Sequence, residues 1–176
     1  MCILIIKPKG AKMPPLATLR KCAISNPDGC GIATPKMIYR SLSFKTFISH
    51  VQNIAEDQPA IIHFRYATHG SIKKENCHPF KDRATGICFA HNGVLPINPI
   101  GDKTDSETAF KRYFMPIIKK YGIYSQELKD VADRLIGCSK IAFLTPEGEL
   151  RVFGQFIEND GCYYSNNTFR VSRFKF

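Results

Sequence analysis

Short apolar runs and longer amphipathic stretches alternate along the chain. The short runs are rich in β-branched and aromatic residues and are bounded by Gly, Pro, Asn and Asp, which is typical of strands. Pro59 opens the clearest of these runs, and Asn26-Pro27-Asp28-Gly29 is a strong turn signal before another. The runs predict strands at residues 2–6, 30–33, 37–42, 60–68, 86–90, 140–144, 150–157 and 162–165.

Apolar residues recur at helical spacing in four other stretches. Phe44, Phe47, Ile48, Val51 and Ile54 mark one of them, and the face from Phe110 to Tyr121 marks another. Thr104 followed by Glu107 resembles a capping box before that second face, and we expect Pro116 to kink its helix. The predicted helices cover residues 16–24, 44–55, the stretch after Glu107 as far as Tyr121, and 125–135.

Length and composition favour one folded unit. The chain has 176 residues, of which 44% are hydrophobic and 23% charged, as in ordinary globular proteins. It shows no internal repeat, linker or low-complexity stretch. We therefore expect a single domain spanning residues 1–176, with room for a hydrophobic core and none for an additional synthetase domain.

Cysteine content and net charge limit the cellular compartment and the kinds of partner that the sequence favours. The seven cysteines are odd in number, widely spaced and preceded by no signal peptide, which favours a reducing cytoplasm. No apolar run reaches the roughly 18 residues that suggest a membrane span. The net charge of +10 raises the question of nucleic acid. Because the basic residues are scattered and no nucleic-acid-binding motif accompanies them, we do not expect such a partner.

Cys2 is the first candidate for chemistry. If Met1 is removed, Cys2 carries a thiol nucleophile and a free α-amino group with an ordinary pKa of about 7.7–8.0, which can move protons near neutral pH. An incidental buried cysteine is the ordinary alternative for such a short motif. The decision between them depends on what the rest of the chain supplies.

Three further positions supply complementary chemistry. Arg65 lies within an apolar strand and needs an anion, either a structural partner or a substrate carboxylate. Asn92-Gly93 ends a strand, so the Asn92 amide and the Gly93 N–H can form an oxyanion site as well as a turn. With Asp105 for an α-ammonium group, these residues provide every role that hydrolysis of a γ-glutamyl amide requires.

Six ordered segments resemble the class II glutamine amidotransferases, which are N-terminal-nucleophile (Ntn) hydrolases. Within that family the chain is most similar to the stand-alone members. The segments are Met1-Cys2, Asn26-Pro-Asp-Gly-Cys-Gly-Ile-Ala33, His63-Phe-Arg-Tyr-Ala-Thr-His-Gly70, Glu75-Asn-Cys-His-Pro-Phe80, Phe89-Ala-His-Asn-Gly93 and Gly101-Asp-Lys-Thr-Asp-Ser-Glu107.

The resemblance implies an α+β fold, namely a four-layer αββα sandwich of two antiparallel sheets between helices. It assigns the nucleophile to Cys2 and the oxyanion site to Asn92 and Gly93. It places the glutamyl α-carboxylate on Arg65 and the α-ammonium on Asp105. Two further positions, Thr68 and His69, match residues that line the glutamine pocket in relatives.

Three functions stay open. The first is a glutaminase that forms a thioester and releases ammonia and glutamate, with a separate ammonia-accepting synthase as a partner. The second is hydrolysis of another γ-glutamyl compound, since the proposed residues recognise only the glutamyl end. The third is a non-catalytic basic binding module, for which the charge is the only positive argument.

We expect no metal and no cofactor. Cys77-His78, His91 and Cys88 offer ligand-type side chains, but they form neither a Cys-x-x-Cys pair nor a His-Glu-x-x-His helix. The four histidines near these segments are interpreted instead as hydrogen-bonding residues of strand ends and loops, namely His63, His69, His78 and His91.

Overall fold

The computed structural model describes residues 2–67 and 71–170, in which two antiparallel sheets face each other and helices cover their outer sides. The strands are β1 (Ile3–Lys7), β2 (Cys30–Ala33), β3 (Ile38–Ser41), β4 (Ala60–Phe64), β5 (Phe80–Lys81), β6 (Cys88–Asn92), β7 (Lys140–Leu144), β8 (Leu150–Phe153), β9 (Ile157–Asn159) and β10 (Cys162–Tyr164). The α-helices are α1 (Leu16–Ser25), α2 (Phe44–Val51), α3 (Asp105–Ala109), α4 (Met115–Tyr121) and α5 (Gln126–Ile136).

The first sheet places Cys2 next to the segment that carries Arg65. Its strand order is β3-β2-β4-β1-β10-β9, so β1 is a central strand between β4 and β10. In the antiparallel β1–β4 pair, Ile3 lies opposite Phe64. The residue before β1 and the residues after β4 therefore meet at one end of the sheet.

The second sheet brings Asn92 and Gly93 to the same end. Its strand order is β5-β6-β7-β8, and β6 ends at Asn92, opposite Lys140 of β7. Strands β1 and β6 face each other across the sandwich. The ends of two central strands, one from each sheet, thus lie side by side.

Three apolar clusters separate the layers and confirm the α+β αββα sandwich. One cluster fills the space between the sheets and includes Leu4, Ile61 and Ala142. Another lies under α1 and α2 and includes Ile62 and Phe64, and the third lies between the second sheet and α3 to α5. Alternate residues of β4 therefore face opposite layers, as the period-two pattern predicts.

Glycine in β2 permits a close approach that the sequence predicts. A Cβ on Gly31 would overlap the carbonyl oxygen of His78 and lie 3.1 Å from its carbonyl carbon. The backbone before β5 consequently packs directly on β2. This contact places His78 between the two sheets, next to His63 of β4.

Two predicted strands differ from the structure. The strand predicted at 150–157 is wrong as one element, because the chain turns at Gly154, whose φ is +95°, and β9 joins the other sheet. The strand predicted at 60–68 ends at Phe64, after which Arg65 and Ala67 bond to the turn at 28–29. Thr68 lies outside the described residues.

The helical stretch after Thr104 contains an irregular turn close to Pro116. A wide π-type turn at Phe110–Phe114 separates α3 from α4. Proline lacks an N–H and its ring would collide with the carbonyl four residues earlier, so a widened turn before Pro116 relieves both conflicts. Within residues 2–67 and 71–170, no helix combines the length and apolarity needed to cross a membrane.

Candidate active site

Cys2 lies immediately before β1, where its backbone and thiol are both held. The Tyr66 N–H donates to Cys2 Sγ at 3.3 Å, and the thiol lies 3.4 Å from the Tyr66 carbonyl oxygen. Asn166 Nδ2 donates to the Cys2 carbonyl oxygen at 2.7 Å. The cysteine side chain is therefore fixed at the edge of the sandwich, beside Arg65.

A small pocket opens next to this thiol. Its volume is about 50 Å³, and its wall is made mostly of polar side chains and backbone. Four of the predicted site residues meet there, together with Tyr66, Ala67, Val94, Thr104 and four other polar residues. The predicted ones are Cys2, Arg65, Gly93 and Asp105, and the others are Asn76, His78, His91 and Ser106.

Arg65 is buried, with only 4% of its surface exposed, and its backbone is held by the preceding turn. Its N–H donates to the Gly29 carbonyl oxygen at 2.7 Å, and the Asp28 carboxylate accepts from the Ala67 N–H at 2.7 Å. Its guanidinium donates to the Ser71 carbonyl oxygen at 3.1 Å. The turn at residues 26–29 thus positions the arginine that faces the pocket.

Asp105 opens α3 and presents its carboxylate to the same pocket. Its oxygens accept from the Leu95 N–H at 3.0 Å and from the Ser106 N–H at 2.7 Å. Thr104 Oγ1 accepts from the Glu107 N–H at 3.1 Å, which confirms the predicted cap. A carboxylate in the first turn of a helix is held where the helix dipole favours it.

Asn92, the last residue of β6, and Gly93 after it lie next to Cys2. Asn92 is buried and its Nδ2 donates to Ser165 Oγ at 2.8 Å; it does not line the small pocket. Together with Cys2 and Gly93, it lines a neighbouring groove. Gly93 has a φ of +139°, and a Cβ there would lie 2.6 Å from Ser139 Cβ, so only glycine fits. The other two predicted pocket residues, Thr68 and His69, lie outside the described residues.

Three histidines are buried beside the pocket. His91 Nδ1 lies 2.8 Å from Ser106 Oγ, which agrees with its predicted hydrogen-bonding role. For His63 and His78 this role stays a prediction: no ring nitrogen of either makes a hydrogen bond of ordinary geometry within the described residues, although a contact with the His91 backbone opposes the lowering of the His63 pKa. Their rings lie in contact between the sheets, with centroids 4.4 Å apart.

Burial dominates the electrostatics of these groups. It lowers the pKa of His63 to about 3 and that of His91 to about 4, and it lowers the pKa of His78 well below its ordinary value. All three rings are therefore neutral near pH 7. Burial also raises the pKa of the Cys2 thiol, while the Tyr66 hydrogen bond and the charge of Arg65 oppose that shift. A nucleophilic Cys2 consequently needs a proton acceptor.

The sequence interpretation missed several residues that hold the site together. Asp28 belongs to a motif read as a turn, and only its contact with Ala67 reveals the further role. Ser165 accepts from both the Leu4 N–H and Asn92, and Asn166 holds Cys2. No local pattern near the last strand signals these contacts. Among the described residues, no group of three His, Cys, Asp or Glu is arranged to hold a metal ion.

Solved structures share this architecture. The B. subtilis glutamine phosphoribosylpyrophosphate amidotransferase complexed with ADP and GMP superposes with a TM-score of 0.55 at 20% identity, covering 93% of this chain and 41% of that chain. A structure described as the allosteric regulatory enzyme of purine biosynthesis gives 0.54, with the same identity and coverage. The fold is therefore that of the Ntn-type amidotransferases.

Sequence comparison then defines the family. Residues 41–150, more than half of the chain, match the family model described as class-II glutamine amidotransferases. Glutamine–fructose-6-phosphate aminotransferase (isomerizing) of Methanococcus maripaludis is 36% identical over 88 residues, which is 46% of this chain and 14% of that protein. The chain belongs to the class II glutamine amidotransferases, a family of enzymes that transfer or hydrolyse the glutamine amide.

Two features of these matches bear on the site. The chain spans less than half the length of the relatives it matches. The family match includes Arg65, Asn92, Gly93 and Asp105, whereas Cys2 precedes it. The role of Cys2 therefore depends on its geometry.

Proposed function

We propose that this chain is a glutamine amidohydrolase in which Cys2 is the N-terminal nucleophile. One observation carries the proposal: the Cys2 thiol, buried Arg65 and Asp105 line the same small pocket. A cation and an anion on one wall complement the α-carboxylate and α-ammonium of a glutamyl group. The γ-amide of that ligand then extends toward the thiol.

The α-amine of a processed Cys2 serves as the base. Because burial raises the pKa of the thiol, the amine must take its proton as sulfur attacks the γ-carbonyl carbon. The C–N bond then breaks, the same proton passes to the leaving nitrogen, and ammonia departs. Water hydrolyses the resulting thioester, which yields glutamate and restores the thiol and amine.

The oxyanion of each tetrahedral intermediate faces Gly93 and Asn92. The Gly93 N–H and the second N–H of the Asn92 amide are the two donors, while Ser165 fixes the orientation of that amide. One such donor contributes about 3–4 kcal/mol of transition-state stabilisation. Thr68 and His69 remain proposed pocket residues, and the proposed functional unit is one domain spanning residues 1–176.

A separate synthase is the proposed recipient of the ammonia. Two of the relatives named above, the aminotransferase and the phosphoribosylpyrophosphate amidotransferase, pair glutamine with an acceptor, and this chain matches only a part of their length. We propose glutamine as a substrate, no metal or cofactor, and a cytoplasmic location.

The test uses purified protein whose intact mass shows that Cys2 is the first residue. Incubation with glutamine should yield glutamate and ammonia in equal amounts, and hydroxylamine should divert the thioester to γ-glutamyl hydroxamate. Cys2→Ala should abolish both products, whereas Cys22→Ala, on the buried face of α1, should retain them. Protein that retains Met1 should be nearly inactive, because its α-amine is displaced from the thiol. Equal turnover by the Cys2→Ala variant would refute the assignment.

A further inference from the structure

A second cavity begins where the small pocket ends. The two cavities share Cys2, Tyr66, Gly93 and Val94 as a common wall. We call the second cavity the α5 groove, since the end of α5 and the start of β7 form its far side. Its lining beyond the shared wall consists of Asn92, Pro96, Arg134, Leu135, Ile136, Gly137, Cys138, Ser139 and Lys140.

The α5 groove is far larger than release of ammonia requires. Its volume is about 710 Å³, against about 50 Å³ for the small pocket, and its lining is mainly apolar. Val94 and Tyr66 on the shared wall are 65% and 41% exposed, so apolar surface reaches from Cys2 into the groove. Such a surface beside a nucleophile fits an apolar group attached to the scissile nitrogen.

The charges of the α5 groove are of one sign. Arg134 and Lys140 line it, and none of its described lining residues is Asp or Glu. Lys140 Nζ donates to the Cys138 carbonyl oxygen at 2.8 Å, which uses one of its three N–H donors. The nearest acidic residues on α5 have partners of their own, because Asp130 accepts from Gln126 and Asp133 pairs with Lys129.

We propose that the α5 groove binds the leaving group of a γ-glutamyl peptide, namely an apolar α-amino acid joined through its nitrogen to the glutamyl γ-carbonyl. The proposal rests on the function proposed above and names its substrate class. The glutamyl end occupies the small pocket, the apolar side chain lies against Pro96 and Leu135, and the free carboxylate faces Lys140 and Arg134.

The chemistry is that of the glutaminase with a different amine. Cys2 Sγ bonds to the γ-carbonyl carbon, the C–N bond of the peptide breaks, and the α-amine of Cys2 returns its proton to the leaving nitrogen. A free amino acid departs through the groove. Water then cleaves the thioester to glutamate, so atoms and charge balance with one water consumed.

The experiment compares three substrates on the processed wild-type enzyme: glutamine, γ-glutamyl-leucine and γ-glutamyl-leucinamide. Burial of the leucine side chain should raise kcat/KM for γ-glutamyl-leucine about tenfold or more above that for glutamine. Loss of the carboxylate in the amide should lower it about fivefold. Arg134→Gln with Lys140→Gln should remove the difference between peptide and amide and leave glutamine turnover unchanged. Lys45→Gln on α2 is the matched control and should change none of the three values.

Each outcome decides a separate point. Turnover of glutamine with no preference for γ-glutamyl-leucine would overturn the groove proposal and leave the glutaminase intact. Peptide and amide cleaved at equal rates by the wild type would overturn the role of Lys140 and Arg134, whatever the variants do. Turnover of none of the three by processed protein would refute the proposed function itself. Calorimetry with the Cys2→Ala variant supplies an independent measurement, in which γ-glutamyl-leucine should bind more tightly than glutamine.

Discussion

The two cavities that meet at Cys2 are built in opposite ways. The small pocket has buried charged and polar side chains on short segments, and hydrogen bonds fix most of those segments. The α5 groove has apolar walls, an exposed Arg134 and a half-buried Lys140, and its far side consists of residues 134–140. Fixed buried polar groups select one ligand end strictly, since an unmatched charge there is costly. An open apolar wall discriminates more weakly between ligands and accepts different leaving groups.

Among the variants that test this contrast between the two cavities, Arg65→Lys should have the largest effect on kcat/KM. An ammonium cannot reproduce the two-pronged contact of a guanidinium with a carboxylate, and a buried position offers no water to replace it. We expect kcat/KM to fall about 100-fold or more, equally for glutamine and γ-glutamyl-leucine. Steady-state kinetics on both substrates measure this, and Arg83→Lys on an exposed loop is the control. A loss confined to one substrate would break the assignment of Arg65 to the shared glutamyl end.

Gly93→Ala tests the wall that both cavities share. The added Cβ would collide with Ser139, and the φ of +139° is strained for any other residue. Displacement of one oxyanion donor should lower kcat about 100-fold for both substrates. Gly10→Ala is a matched control, because Gly10 also has a positive φ but open space around it. Equal loss of activity in the two variants would show that backbone strain, not the position of the Gly93 N–H, explains the effect.

The sequence allowed most of the fold to be predicted, because the structure keeps the local periodicity of most strands and helices. The alternation in β4 and the spacing of Phe44, Phe47 and Val51 in α2 both match their buried faces. The error at 150–157 has a different origin. At Gly154 the chain leaves the second sheet, and a Cβ there would lie 2.6 Å from the carbonyl oxygen of Ser139, a close approach that no pattern around residue 154 signals.

The site residues, like the elements of the fold, divide into those that local motifs predict and those that only tertiary contacts bring together. Residues in dense motifs, such as Arg65 and Asp105, meet in the small pocket as the resemblance implies. Ser165 and Asn166 hold Asn92 and Cys2 from the far end of the chain, and their roles depend on the β1–β10 pairing alone. The α5 groove likewise combines residues from separate elements, none of which carries a recognisable motif.

The buried histidines beside the small pocket make the stability of the fold sensitive to acid. An unfolded His63 has the ordinary pKa of 6.5, whereas the folded one has a pKa of about 3. Below pH 6.5 the unfolded state therefore binds a proton that the folded state excludes. The contribution of this histidine to the free energy of unfolding should be fully present above pH 6.5. It should fall by about 1.4 kcal/mol per pH unit between pH 6.5 and pH 3.

Chemical denaturation of wild type and His63→Leu between pH 7 and pH 4 measures this slope. The slope of the free energy of unfolding against pH should be smaller in the variant, by the contribution of about one proton. His50→Gln, on the exposed face of α2, should keep the wild-type slope. Parallel curves for His63→Leu and wild type would show that His63 is not protonated on unfolding in this range.

The smallest expected effect concerns Asp28, which acts on the small pocket through the backbone after β4. Its carboxylate accepts from the Ala67 N–H at 2.7 Å, on the segment that carries Arg65 and Tyr66. Asp28→Ala removes this acceptor and should lower kcat/KM about fivefold, since Asp28 is only half-buried and water can replace part of the bond. The loss should be equal for glutamine and γ-glutamyl-leucine, because in the proposed binding mode both place their glutamyl end against Arg65.

Asp28→Asn separates positioning from charge. Its side-chain oxygen can still accept from the Ala67 N–H, so the arrangement of the segment and most of the activity should be retained. Asp57→Ala, at an exposed position before β4, controls for removal of an acidic residue. If Asp28→Asn were as impaired as Asp28→Ala, the negative charge and not the hydrogen bond would matter. Asp28 would then act on the field around Arg65, and the loss should diminish as ionic strength rises.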